Sequence, residues 1–347
     1  VSSPFANLGI VAIGRNEGDR LRACLEAARD LAPGATVVYV DSGSSDGSTD
    51  LARAFDAHVV ELDLSTPFTA ARARNAGVER LTQVSPHATL VQFLDGDCAL
   101  QPGWIEVAVA FLDANPRAAV ACGRRRERFP DASIYNTLCD LEWNTPVGEA
   151  KACGGDALMR IDALRAVGGY DGDVIAGEEP ELCVRLRAAG WTIHRLDHEM
   201  TLHDAAMTRL SQWWKRNVRA GHAYAEGFAR HGRPPERFRE KEVRSNWVWG
   251  MGMPAIVLVA VIATAWVAPA WAWAPLAAYV ALLALQAARI ARHRRRRGDT
   301  PRQGRIYALF TVLGKFPQML GQWTYRQNRL AGRRSGIIEY KTAGAGR

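Results

Sequence analysis

Two aspartates separated by one glycine, Asp95-Gly96-Asp97, follow the apolar run LVQFL directly. Carboxylates emerging where a buried strand ends suit a hard divalent cation, Mg²⁺ or Mn²⁺, which takes oxygen ligands and keeps waters or ligand phosphates in its shell. The same tripeptide is also an ordinary Asp-Gly turn. Upstream, Asn16-Glu17, Asp41, Arg72, Arg74-Asn75 and Gly77 fall at predicted strand ends or at the starts of the helices that follow. Free N–H groups at helix N-termini and glycine-rich turns bind phosphate, guanidinium adds charge-assisted bonds, and a carboxylate such as Asp41 accepts from ribose or base. A nucleotide diphosphate satisfies the whole set, whereas each member alone reads as a turn or a solvated helix face. A second acidic pair, Glu178-Glu179, precedes Pro180 and the helical run ELCVRLRAAG. Pro180 fits a first helical position, which puts both glutamates at a helix N-terminus, where the dipole favours the ionised carboxylate that a general base requires. A helix start decorated with acids is the structural reading of that pair. His203, in EMTLHD, reads as a core or surface histidine.

These residues need a frame, and the first 125 residues supply one. Apolar runs LGIVAI (8–13), TVVYV (36–40), HVVEL (58–62) and ATLVQFL (88–94) alternate with helical patterns near 17–31, 48–55 and 69–81 and one starting at Pro102. Such alternation implies right-handed crossovers and an α/β fold with a mostly parallel central sheet, whose ligands bind beyond the strand C-terminal ends. The polar clusters sit at those ends: Gly14 to Gly18, DSGSSDGS and DGD. Residues 126–240 read as α+β, with helices near 180–189 and 209–230, and no internal repeat is found.

The chain has 347 residues, and its 48% hydrophobic and 23% charged content excludes wholesale disorder, a collagen repeat or a disulfide mini-scaffold. Charge is uneven: residues 289–347 hold 15 Lys+Arg against 2 Asp+Glu, leaving 29 basic and 34 acidic residues before them. The six cysteines are scattered without zinc-site spacing and read as reduced thiols. With no signal-peptide pattern at the start, the body is expected on the cytoplasmic side. Between Arg244 and Arg289 lie 44 residues without a formal charge, more than twice the ~20 that span a bilayer. They divide into Gly250–Val267 and Leu276–Ile290 around Pro269 and Pro275. Tryptophans at both levels and basic residues outside both ends predict a two-helix transmembrane hairpin (241–291) in the cytoplasmic membrane, with the preceding domain (1–240) and both termini cytoplasmic. The tail (292–347) is basic, and its apolar stretch Ile306 to Trp323, interrupted by Lys315 and Pro317, is expected to lie at the interface or re-enter. The run HRRRR (293–297) points to anionic lipid headgroups as partners rather than nucleic acid.

Taken in order, IGRNEG (13–18), VVYVDSGSSDGSTD (37–50), ARARNAG (71–77), FLDGD (93–97), GGDALMRIDALRAVGGYD (154–171) and GEEPELCVRLRAAGW (177–191) resemble the inverting family 2 glycosyltransferases of GT-A fold. That resemblance implies transfer of a sugar from a nucleotide diphosphate donor, UDP preferred, to a hydroxyl of a lipid-linked or glycan acceptor in envelope or exopolysaccharide synthesis. It assigns Asn16, Glu17, Asp41, Arg72, Arg74 and Asp95 to the donor, and Asp95, Asp97 and His203 to Mg²⁺ or Mn²⁺. Glu179 resembles the base, with Glu178 its rival, and Gly155, Asp156, Trp213 and Trp214 would meet the acceptor. Two departures stand out. The family's usual Glu-Asp is Glu178-Glu179 here, and Gln212-Trp213-Trp214-Lys215-Arg216 departs from the Gln-x-x-Arg-Trp of processive synthases. Other readings are a polyprenyl-phosphate sugar synthase, whose acceptor is already anionic, and a non-catalytic nucleotide-sugar-binding membrane protein.

Overall fold

A computed structural model describes residues 5–333 and 336; the rest of the basic tail lies outside the described residues. Among the described residues the chain divides into two compact units, one formed by residues up to 130 with 142–206, the other by 131–141 with 207–333. The helix expected near 209–230 thus belongs to the second unit, not to the domain that the sequence draws as 1–240.

The first unit begins with β1 (Leu8–Gly14), α1 (Asp19–Leu31), β2 (Thr36–Asp41), α2 (Ser48–Ala54), β3 (His58–Glu61), α3 (Ala70–Val84) and β4 (Leu90–Asp95). β1 lies between β2 and β4 and parallel to both, with Gly14 opposite Asp41 and Ile13 opposite Asp95. This register brings three polar strand ends to one level, as expected of a sheet built from crossovers. α3 packs tightly on the sheet because Gly77 lacks a side chain: a Cβ there would lie 2.2 Å from Val11 Cγ1.

Next come β5 (Cys98–Leu100), α4 (Trp104–Ala114), β6 (Ala118–Glu127), α5 (Ile134–Trp143), β7 (Gly148–Glu149), β8 (Ala157–Arg160), α6 (Ile161–Ala166), α7 (Glu178–Ala188) and β9 (Thr192–His203). The sheet runs β3-β2-β1-β4-β8-β6-β9-β5, with β7 on β9. β8 is antiparallel to both neighbours, whereas β9 runs parallel to β6 and antiparallel to β5. The fold is the expected α/β GT-A type on a mixed sheet. Two boundaries differ from expectation. α4 starts at Trp104, after left-handed Gly103, not at Pro102. α7 starts at Glu178, so Pro180 is third rather than first; proline is tolerated there because first-turn N–H groups have no intrahelical acceptor.

The second unit is helical: it takes α5 as far as Leu141 and then α8 (Leu210–His231), α9 (Glu240–Trp247), a π turn (Val248–Gly252), α10 (Met253–Val267), α11 (Ala274–Arg296), α12 (Pro301–Leu313) and α13 (Lys315–Leu330). The continuous helices Glu240–Val267 and Pro269–Arg296 are each 28 residues long, with mean hydropathy 2.0 and 1.5, and only 6% of the apolar window of each is buried. By length and composition both are able to cross a membrane. They are longer than the sequence division suggests, and α11 continues as helix through the arginine run. Residues 306–323 form no single element: the chain breaks between Leu313 and Lys315, since Pro317 has no N–H to donate to the Leu313 carbonyl.

Candidate active site

The rim of the first unit is organised by side chains that close loops on themselves. Asp41, buried, accepts from the Gly43 and Ser44 N–H groups through Oδ2 (2.8 and 2.7 Å) and from the Tyr39 hydroxyl through Oδ1 (3.2 Å). Asn16, at φ 55°, accepts from Ser45 N–H (2.7 Å) and donates its own N–H to Ser44 Oγ (2.9 Å). Asparagine tolerates this left-handed backbone better than most residues. Asp46 accepts from Gly18 N–H at 3.0 Å, so the loops after β1 and β2 are joined. Glu17 forms an ion pair with Arg20 at 2.9 Å. It also borders Gly96, where a Cβ would come within 3.2 Å of both Glu17 Cγ and the Ile13 carbonyl.

Arg74 is the hub. Buried on α3, it donates from Nη2 to Asp95 Oδ1 and from Nη1 to Glu178 Oε1, both at 2.7 Å. Two motifs 83 positions apart, the DGD turn and the start of α7, are thus fastened to one guanidinium. Burial alone would lower the Arg74 pKa, but Asp95, Tyr170 and Glu178 outweigh it and hold the group charged. Arg125, on β6, meets the other side of Asp95 (3.4 Å to Oδ2) and pairs with Asp156 at 2.8 Å. Asp156 is fully buried; it accepts the Asp95 N–H (3.1 Å) through Oδ1 and the Thr201 hydroxyl (2.8 Å) through Oδ2. Both its oxygens therefore position Asp95 and Arg125 instead of facing an acceptor. Gly155 is where this cluster closes: a Cβ would sit 2.8 Å from Arg74 Nη2 and 3.1 Å from Asp95 Oδ2.

Asp97 turns away from that cluster. Strand pairing sets His203 opposite Cys98 on β5 and opposite Glu127 on β6, so the imidazole lies among acids. Its Nε2 is 3.3 Å from Asp97 Oδ2, its Nδ1 is 3.7 Å from Glu127 Oε2, and Trp143 stands edge-on at 4.7 Å. A buried carboxylate and imidazole with converging donor atoms fit a divalent cation. The expected set Asp95, Asp97 and His203 is nonetheless not one cluster: ligating atoms gather as Asp97, Cys98 and His203 and, separately, as Asp95, Cys98 and Asp156.

Glu179 follows Glu178 at the N-terminus of α7 but points elsewhere. Its Oε1 accepts from the Cys153 N–H (2.6 Å) and from the Cys153 and Cys183 thiols (3.1 Å each). Burial raises both thiols, Cys183 to about 11 and Cys153 well above its ordinary value, so they remain protonated donors.

Of the other sequence candidates, Arg72 spends its guanidinium on the carbonyls of Thr66 (2.7 Å), Pro67 (2.8 Å) and Asp63 (3.2 Å), bracing the loop before α3. Trp213 and Trp214 lie on α8 in the second unit; Trp213 is buried edge-on against Phe310 at 4.9 Å, and Trp214 is 38% exposed. Burial makes Trp213 a packing residue. The sequence reading missed Arg125, Glu127, Trp143 and the Cys153–Cys183 pair. A charged run in a strand, RRRE at 124–127, was the available signal for the first two, since strand alternation turns part of such a run inward.

Residues 10–163 match the family model described as Glycosyl transferase family 2. The match takes in the rim, Arg74, the DGD turn and Gly155-Asp156, and stops short of α7 and His203. The chain is similar to the succinoglycan biosynthesis protein ExoA of Rhizobium meliloti, 28% identical over 233 residues that cover 62% of this chain and 68% of ExoA. It is also similar to the glycosyltransferase AglE of Haloferax volcanii, 24% identical over 191 residues, 51% of this chain and 60% of AglE, less than two thirds of that relative's length. In fold it resembles the mannosyltransferase PcManGT from Pyrobaculum calidifontis, solved in complex with GDP-Man and Mn²⁺, at TM-score 0.55 and 19% identity over 93% of this chain and 87% of that one.

Proposed function

Residues 10–163 being a glycosyl transferase family 2 domain, we propose that this chain is an inverting glycosyltransferase moving a sugar from a UDP-sugar to a hydroxyl of a lipid-linked or glycan acceptor in envelope or exopolysaccharide synthesis. The supporting observation is Arg74, which ties the DGD turn to the start of α7 through Asp95 and Glu178. Inversion requires leaving-group stabilisation and a base on opposite faces of the sugar, and this tie holds the two carboxylate motifs beside one another.

In this reading Asn16, Glu17 and Asp41 hold the nucleoside, and Arg74 acts by positioning, because its guanidinium is already committed to two carboxylates. Asp97 and His203 would hold Mg²⁺ or Mn²⁺, which when bound neutralises charge gathering on the departing diphosphate. Glu179 takes the acceptor proton. With Oε1 held by Cys153 and Cys183, Oε2 is the atom that receives it. Glu178 is engaged by Arg74 at 2.7 Å and serves that tie rather than the proton transfer. The two apolar helices hold the enzyme in the cytoplasmic membrane with their arginine-rich outer ends on the cytoplasmic side.

The test uses the purified full chain. Thermal midpoints are recorded with UDP-, GDP- and dTDP-sugars, with and without Mn²⁺, and labelled donor is then incubated with membrane lipid extract. The expected outcome is stabilisation by a UDP-sugar only with Mn²⁺, and label in the lipid or glycan fraction. Donor binding with neither transfer nor hydrolysis overturns the enzymatic reading.

A further inference from the structure

We propose that the cleft between α11 and α12 is a binding site for the phosphate headgroup of an anionic phospholipid. This rests on the membrane reading of α10 and α11, not on the sugar chemistry. The cleft, about 650 Å³, is lined by Arg292, Arg295, Arg296 and Arg305 with Ala288 and Ala291 at its side. On α11, positions 288, 291, 292 and 295 share one face by their spacing of three and four. Arg305 is supplied by α12.

Three observations select the occupant. First, the charge is unanswered. The four cleft arginines are exposed and engaged by no ion pair among the described residues. Asp299, the one acid between Val243 and Arg333, is taken by Arg294. Arg294 itself is buried, donating to the Leu141 carbonyl at 3.3 Å and lying 4.2 Å over the Tyr307 ring. It is a structural residue that holds the cleft walls while its neighbours face out.

Second, the depth is right. Trp271 and Trp273, stacked at 6.1 Å, mark the far end of the hairpin. From Trp273 to Arg292 is ~28 Å at 1.5 Å per helical residue, close to the ~30 Å hydrocarbon thickness. With the tryptophans at one interface, the guanidiniums stand at phosphate level on the other.

Third, the lining is two-natured. Alanines continue the apolar face of α11 into the cleft beside the arginines, as a lipid glycerol and acyl root adjoining a phosphate would require. Guanidinium presents several donors at once to phosphate oxygens, and basic pockets at the cytoplasmic ends of membrane helices suit such headgroups.

The experiment uses the detergent-purified full chain without sugar donor, so that failure of the transferase reading leaves it intact. Dioleoylphosphatidylglycerol, dioleoylphosphatidylcholine and inorganic phosphate are titrated separately, read by native mass spectrometry and thermal midpoint. Phosphatidylglycerol is expected to bind saturably and raise the midpoint; phosphatidylcholine is not. In R292Q/R295Q its affinity falls about tenfold or more, while the charge-matched R233Q/R333Q, outside the cleft, is unchanged. Equal retention of both lipids, unaltered affinity in R292Q/R295Q, or displacement of the lipid by inorganic phosphate would each overturn the proposal, the last by assigning the cleft to a soluble anion.

Discussion

Glu179 and Glu178 are neighbours in sequence with different electrostatic surroundings: one carboxylate is held by an amide and two thiols, the other by a guanidinium. If Glu179 is the base, Glu179→Gln keeps the Cys153 N–H bond and loses only proton acceptance. Transfer from labelled donor is expected to fall by about 10²–10⁴, with the donor dissociation constant, measured by calorimetry, nearly unchanged. Transfer surviving in this variant would instead favour an anionic acceptor such as a polyprenyl phosphate, which needs no base. Gly155 gives a second residue-scale prediction. A methyl there meets Arg74 and Asp95 rather than open space, so Gly155→Ala should disturb the hub, lowering kcat by tenfold or more, with a thermal midpoint loss matching roughly 1–3 kcal/mol of overpacking. Wild-type turnover in that variant would show that the Arg74 tie is dispensable.

At the scale of elements, close backbone contact governs the second unit. A Cβ at Gly221 on α8 would lie 1.9 Å from the Gln318 carbonyl oxygen, and one at Gly321 on α13 would lie 1.9 Å from that of Val218. The obstructing atoms are backbone, so neither clash is relieved by a side-chain rotation. Gly321→Ala is therefore expected to force α8 and α13 apart and cost roughly 1–3 kcal/mol, read as a lowered thermal midpoint in detergent; an unchanged midpoint would contradict the crossing. This scale also shows what the sequence displays and what it hides. β1, β2 and β4 are legible because a strand buried on both faces is a continuous apolar run. β9 carries TIHRLDHEMTLH and hides among charged residues, and β5 and β7 are too short to register as a pattern. The polar motifs were visible as types and spacings, but the Arg74 bridge is not local: it joins residues 21 and 104 positions away. The division of the expected metal set is likewise a matter of strand register, since pairing of β5, β6 and β9 places His203 beside Asp97 and Glu127.

For the molecule as a whole, stability should depend on pH through a group outside the candidate site. His222, buried on α8 and edge-on to Tyr325 at 5.2 Å, has its pKa pushed down to about 4 by burial. Because the unfolded chain binds the proton more readily, stability is full above about pH 6.5 and declines as pH falls toward 4, by an order of 2–3 kcal/mol. Thermal midpoints between pH 7 and 5 should fall in the wild type and fall less in His222→Gln; parallel curves would contradict this. The central claim is that the site transfers sugar with inversion. The most direct test is the anomeric configuration of the product formed by the full chain from an α-linked UDP-sugar and membrane lipid extract, read by proton NMR. A β-linked product is predicted; an α-linked product would contradict the account.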